Sequence, residues 1–134
     1  MEITQAIIDR VWEKGEIVPG YNKDLYRKDA CGAWIKKSQY GDRTTAFGWE
    51  IDHIFPEIKL DSLKVPQEEI NDIRNLRPLH WLNNSAKGGD YPEYHAKITS
   101  DGNHNKLLEE NSVYAVAEGL QAVLLSLYGK YIGK

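Results

Sequence analysis

An α+β fold with a helix at each end is what this sequence predicts, and three stretches carry the prediction. Residues 3–14, "ITQAIIDRVWEK", place Ile3, Ala6, Ile7 and Val11 at helical spacing and stop at Gly15, which marks an amphipathic N-terminal helix. In "GWEIDHIFPEI", Trp49, Ile51, His53 and Phe55 alternate with Glu50, Asp52 and Ile54, the pattern of a half-buried strand closed by Pro56. Between Lys106 and Tyr131, the residues Val113, Val116, Leu120, Val123, Leu124, Leu127, Tyr128 and Tyr131 fall three or four apart, so a long C-terminal helix is expected there.

The remaining elements follow in order. Pro19-Gly20 signals a turn after the first helix. "LYRKDACGAWIKKSQYGD" reads as irregular or strand-like, bent at Gly32, and "GDRTTAFG" as a loop. Residues 57–74 are polar, with "PQEEI" as a single helical turn. In "NLRPLHWLNNSAKGG", Pro78 fits the first turn of a helix and Gly88-Gly89 ends it. "DYPEYHAKITSDGNHN" is expected to be a surface excursion. No repeat, low-complexity segment or linker interrupts the chain, so a single domain over 1–134 is expected.

With 134 residues, 41% hydrophobic and 28% charged, the chain suffices for one domain with its own core. No run approaches the roughly 18 apolar residues of a membrane span, and the acidic start is unlike a signal peptide. The lone Cys31 excludes an internal disulfide and a cysteine-rich zinc site, and a cytoplasmic setting is the natural expectation. A net charge of −3 speaks against indiscriminate coating of DNA, though not against an enzyme touching a few phosphates. The C-terminal helix is expected to pack on the domain's own core, leaving a monomer, or a homodimer if its apolar stripe is shared.

The chemistry-bearing residues are few. Asp52 offers a hard oxygen ligand suited to Mg²⁺. Beside it, His53 is of the side-chain type that takes a proton near neutral pH. Neighbours on a regular strand face opposite ways, so the two serve one site only where the strand ends or bulges. Asn84, on the expected short helix, supplies a second hard oxygen, with Lys87 a turn later on the same face. A cation so held could bridge a scissile phosphate while the histidine activates water. His80 is read as a packing or hydrogen-bonding histidine, His95 and His104 carry no motif, and the four tryptophans are read as core.

"IDHIFP" followed by "DIRNLRPLHWLNNSAKG" resembles the HNH endonuclease family, whose fold is the ββα-metal nuclease fold. The resemblance runs from Trp49 to Gly88. It implies His53 as general base, Asp52 as metal ligand, and Asn75, in "NLRPL", as the residue that ties down the loop and orients the base. It implies Asn84 as the second metal ligand, with Asn83 its rival by one position, and Mg²⁺ or Mn²⁺ as cofactor. Lys87, Arg77 and Arg74 become candidates for substrate phosphate, and DNA the substrate. Many members carry two cysteine pairs on a structural zinc. Here His80 and Asn83 stand where the second pair would fall, so no structural zinc is expected. The link from His53 to Asn75 is also longer than usual. The upstream "RKDACGAWIKKSQYG" looks like a small bacterial subgroup of the family. A rival expectation is the same fold without turnover, binding a nucleotide, nucleic acid or protein.

Overall fold

Residues 3–133 are described by a computed structural model, in which helix accounts for 34% and strand for 24%. Helix α1 (Gln5–Trp12) starts where the Thr4 side chain accepts the Ile7 N–H, and it buries Val11 and Trp12. Strands β1 (Tyr26–Lys28) and β2 (Trp34–Lys36) form an antiparallel hairpin. Gly32 supplies its bend with φ +86°, and a Cβ there would also meet Thr99 Oγ1 at 2.9 Å.

Strand β3 (Trp49–His53) pairs antiparallel with β4 (Leu76–His80), setting Asp52 opposite Arg77 and His53 opposite Leu76. Helices α2 (Glu57–Ser62) and α3 (Gln67–Ile70) occupy the connection. Helix α4 (Trp81–Lys87) follows β4 directly and packs on both strands. Further on, β5 (Glu93–His95) pairs with β8 (Val113–Ala115), enclosing the hairpin of β6 (Ile98–Asp101) and β7 (His104–Leu107). Helix α5 (Glu118–Tyr128) comes last but for a single 3-10 turn, Gly129–Tyr131.

Two apolar clusters hold these pieces together. One joins Val11, Trp12, Ile35, Trp49 and Leu76; the other gathers Ile54, Leu60, Ile70, Leu79, Tyr94, Leu124 and Tyr128. Strand β4 serves both, because alternation sends Leu76 to one side and Leu79 to the other. Each fully buried leucine contributes roughly 1.5–3 kcal/mol. Among the described residues no helix is long and apolar enough to cross a membrane.

Several expectations are corrected. Pro78 begins no helix: it lies within β4, which pairs on one edge only and so tolerates a residue lacking an N–H. The C-terminal helix is confined to 118–128, and Val113 sits exposed in β8. The i,i+3/i+4 spacing of Val113, Val116 and Leu120 crosses from β8 through the extended N-cap Ala117 into the helix. Residues 90–105 are not merely a surface excursion, since Tyr94 and Ile98 are buried. In β3 the inward set is mixed: Trp49 is buried, but so are Asp52 and, just beyond, Ile54.

Candidate active site

A cleft of about 230 Å³ opens where β3 ends, and Asp52, His53 and Asn84 all line it. The strand stops at His53, so adjacent residues reach a common space despite pleating. Helix α4 lies over β3, where Asn84 Nδ2 donates to Glu50 Oε1 at 2.8 Å. That contact leaves Asn84 Oδ1 without a hydrogen-bond donor among the described residues. Gly88, with φ +52°, ends α4 beside the cleft.

The His53 ring is fixed from behind. Its Nε2 lies 2.7 Å from Asn71 Oδ1, and an amide oxygen only accepts, so Nε2 donates in this contact and Nδ1 is the ring nitrogen left outside it. Asn71 is buried and was not singled out from the sequence. Asn75 sits in the loop-tying position: Oδ1 accepts Phe55 N–H at 2.7 Å, and Nδ2 donates to the carbonyls of Phe55 and Ile70. It therefore fixes the backbone just after His53, while the contact to the ring comes from Asn71.

Asp52 is engaged on both oxygens. Arg77 Nε lies 2.9 Å from Oδ2 and Lys87 Nζ 3.2 Å from Oδ1, with all three side chains nearly sealed from water. Lys87 Nζ also donates to the His53 carbonyl at 3.2 Å. Burial lowers the Lys87 pKa, and Asp52 only partly restores it. Arg77 is likewise opposed by burial, but Asp52 and Tyr94 outweigh it and raise its pKa. Arg74 is exposed and paired with Asp72. The three cations expected on substrate phosphate thus stand elsewhere: two behind Asp52, one on the surface, none lining the cleft. A second carboxylate, Glu57, does line it.

A buried polar knot stands around His80 and Asn83. Asp29 Oδ1 accepts the Cys31 and Ala33 N–H groups, and Oδ2 accepts His80 N–H and Asn83 Nδ2, all at 2.9–3.0 Å. Asn83 Oδ1 accepts from Lys97 and Ile98. Its polar atoms are therefore consumed inside the scaffold, and Asn84, not Asn83, reaches the cleft. His80 caps α4: Nδ1 accepts Leu82 N–H at 3.1 Å while Nε2 donates to the Ala46 carbonyl at 2.8 Å. Burial lowers the His80 pKa and raises that of Asp29, against its four hydrogen-bond donors. Burial, then Asp29, pushes the Cys31 thiol up to about 12.

Glu50 is the residue most nearly legible and yet missed, two positions before Asp52 on the same strand face. Arg43 grips it through two hydrogen bonds of 2.6 and 2.9 Å. Burial works to raise its pKa, but the bonds from Arg43 and Asn84 prevail and lower it. Among the described residues no three His, Cys, Asp or Glu side chains converge as a metal cage. Comparison with protein-family models, curated proteins and solved structures finds no match.

Proposed function

We propose that this cleft is the active site of an HNH-type endonuclease that hydrolyses phosphodiester bonds in DNA. The observation that carries the reading is the meeting of the adjacent Asp52 and His53 with Asn84, distant in the chain, on one cleft with the His53 ring held by Asn71. The order β3, β4, α4 is in keeping with the strand–strand–helix arrangement that the resemblance implies. With Nε2 donating to Asn71, neutral His53 presents the Nδ1 lone pair to take a proton from an attacking water. Asn75 keeps the backbone after His53 in place, and Asn71 sets the ring.

Asp52 and Asn84 would hold Mg²⁺ or Mn²⁺. Both are hard oxygen donors, the Asn84 amide oxygen is open, and Mg²⁺ commonly takes one or two carboxylates and completes its shell with water and phosphate. When bound, such an ion supplies charge against the scissile phosphate and the leaving oxygen. DNA as substrate rests on the resemblance; the residues themselves support phosphoryl hydrolysis. The test is cleavage of plasmid DNA with added Mg²⁺ or Mn²⁺, comparing wild type with His53→Ala and Asn71→Ala. Loss of a positioned general base is expected to cost roughly 10²–10⁴-fold.

One observation favours a second reading, the same cleft binding a nucleotide, nucleic acid or protein without turnover. Asp52 is held by two cations, which together outweigh its charge, and a metal ion must compete with them. A wild type that cleaves nothing with either metal, yet rises in Tm with an oligonucleotide, would establish it.

A further inference from the structure

Lys87 ends α4, beside the exposed Gly88, yet its side chain is 0% exposed. A lysine at a helix end ordinarily buries its stem and keeps the ammonium in water. Here the ammonium turns inward and meets the candidate site from behind. Nζ lies 3.2 Å from Asp52 Oδ1 and donates to the His53 carbonyl at 3.2 Å. Asn84 stands three residues earlier on the same helix, within one turn. A single charge thus adjoins all three residues that meet on the cleft.

The charges there are not balanced. Asp52 carries one negative charge and Asn84 none, against two positive charges on the Asp52 oxygens. Glu50, which holds Asn84, is itself paired with Arg43. Glu57 lines the cleft as an exposed side chain and accepts from Gln67 Nε2 at 2.9 Å. Arg77, in contact with Asp52 and with the Tyr94 ring, suffices to balance the buried carboxylate. Lys87 is therefore the surplus cation, and an unbalanced buried charge is costly. A role in the site accounts for its place.

We infer that Lys87 is a positioning residue that sets the divalent-ion affinity of this site. Its ammonium holds the Asp52 carboxylate and the His53 backbone in place, and its charge keeps an ion on Asp52 and Asn84 weakly bound. The inference rests on the reading of Asp52 and Asn84 as metal ligands. At a separation of several ångströms inside a protein, one unit charge facing a divalent ion changes affinity by well over a factor of about ten.

The test is a Mn²⁺ titration of the purified protein without DNA, reading free Mn²⁺ by electron paramagnetic resonance. Lys87→Met keeps an apolar stem and leaves Asp52 balanced by Arg77. Lys87→Gln keeps a donor for Asp52 without the charge. Urea unfolding first establishes which variants are folded. Each folded variant is expected to bind Mn²⁺ at least about tenfold more tightly than wild type. Adding Asn84→Ala is expected to remove most of that gain, because the ion then lacks its amide oxygen. A purely structural lysine predicts the other sign: with Asp52 and His53 loosened, binding stays level or weakens. Binding no tighter in the folded variants, or a gain that survives Asn84→Ala intact, would overturn the inference and leave the nuclease reading to plasmid cleavage. Absence of saturable Mn²⁺ binding in every form would overturn the metal assignment along with it.

Discussion

Replacing Asp52 by Ala should cost this protein stability before it costs activity. Asp52 is 3% exposed, with Arg77 Nε at 2.9 Å and Lys87 Nζ at 3.2 Å. Its removal leaves two buried cations facing each other, and breaking a buried pair by deleting one partner costs roughly 3–5 kcal/mol. Deprotonation relieves part of that: burial already lowers the Lys87 pKa, and loss of Asp52 would lower it further. The expected fall is therefore about 3 kcal/mol, the lower end of that range, or roughly 10 °C in Tm for a domain of this size. Urea unfolding measures it directly, and the double variant Asp52→Ala/Lys87→Met should recover part of the loss. A loss for Asp52→Ala below about 1 kcal/mol, the scale of an exposed pair, would refute the reasoning.

The two adjacent asparagines should behave oppositely. Asn83→Ala strands Asp29 and three backbone groups and is expected to lose roughly 2–4 kcal/mol in urea unfolding. Asn84→Ala should change stability by less than about 1 kcal/mol, with its effect falling on metal-dependent cleavage. Acid sensitivity should trace partly to His80, whose folded pKa lies below the ordinary 6.5. Its contribution is then full above pH 6.5 and is lost as the pH falls through the depressed folded value, because a proton on Nδ1 removes the cap of α4. His80→Asn should flatten urea midpoints across that window, and an unchanged slope would rule the histidine out. Gly48→Ala should destabilise by about 2 kcal/mol or more, since its Cβ would lie 1.6 Å from the Asp42 carbonyl oxygen.

The legible parts of the fold were those with a local cause. Helix α1 and strand β3 follow from apolar spacing and flanking breakers, and Asp52, His53 and Asn84, singled out by residue type together with the family resemblance, line one cleft. The pairing of Arg77 with Asp52 was hidden because it exists only once 76–80 is a strand in register with 49–53. Reading Pro78 as a helix start left Arg77 outside any strand, so a partner on 49–53 had no place in the expectation. Asn71 was invisible for a related reason: it reaches His53 through the fold of the long connection, which no periodicity encodes. The Asp29 knot joins three separate segments, 29–33, 80–83 and 97–98, by hydrogen bonds alone, and residue types carry no mark of it.

The most direct measurement is nicking of supercoiled plasmid by purified wild type and His53→Ala, with Mg²⁺ or Mn²⁺ and with EDTA, after urea unfolding has shown that both are folded. The expected result is metal-dependent cleavage by wild type, abolished by EDTA and reduced at least about 10²-fold in His53→Ala. Cleavage that persists in His53→Ala, or a folded wild type that cuts with neither metal, would contradict the assignment of a nuclease site to this cleft.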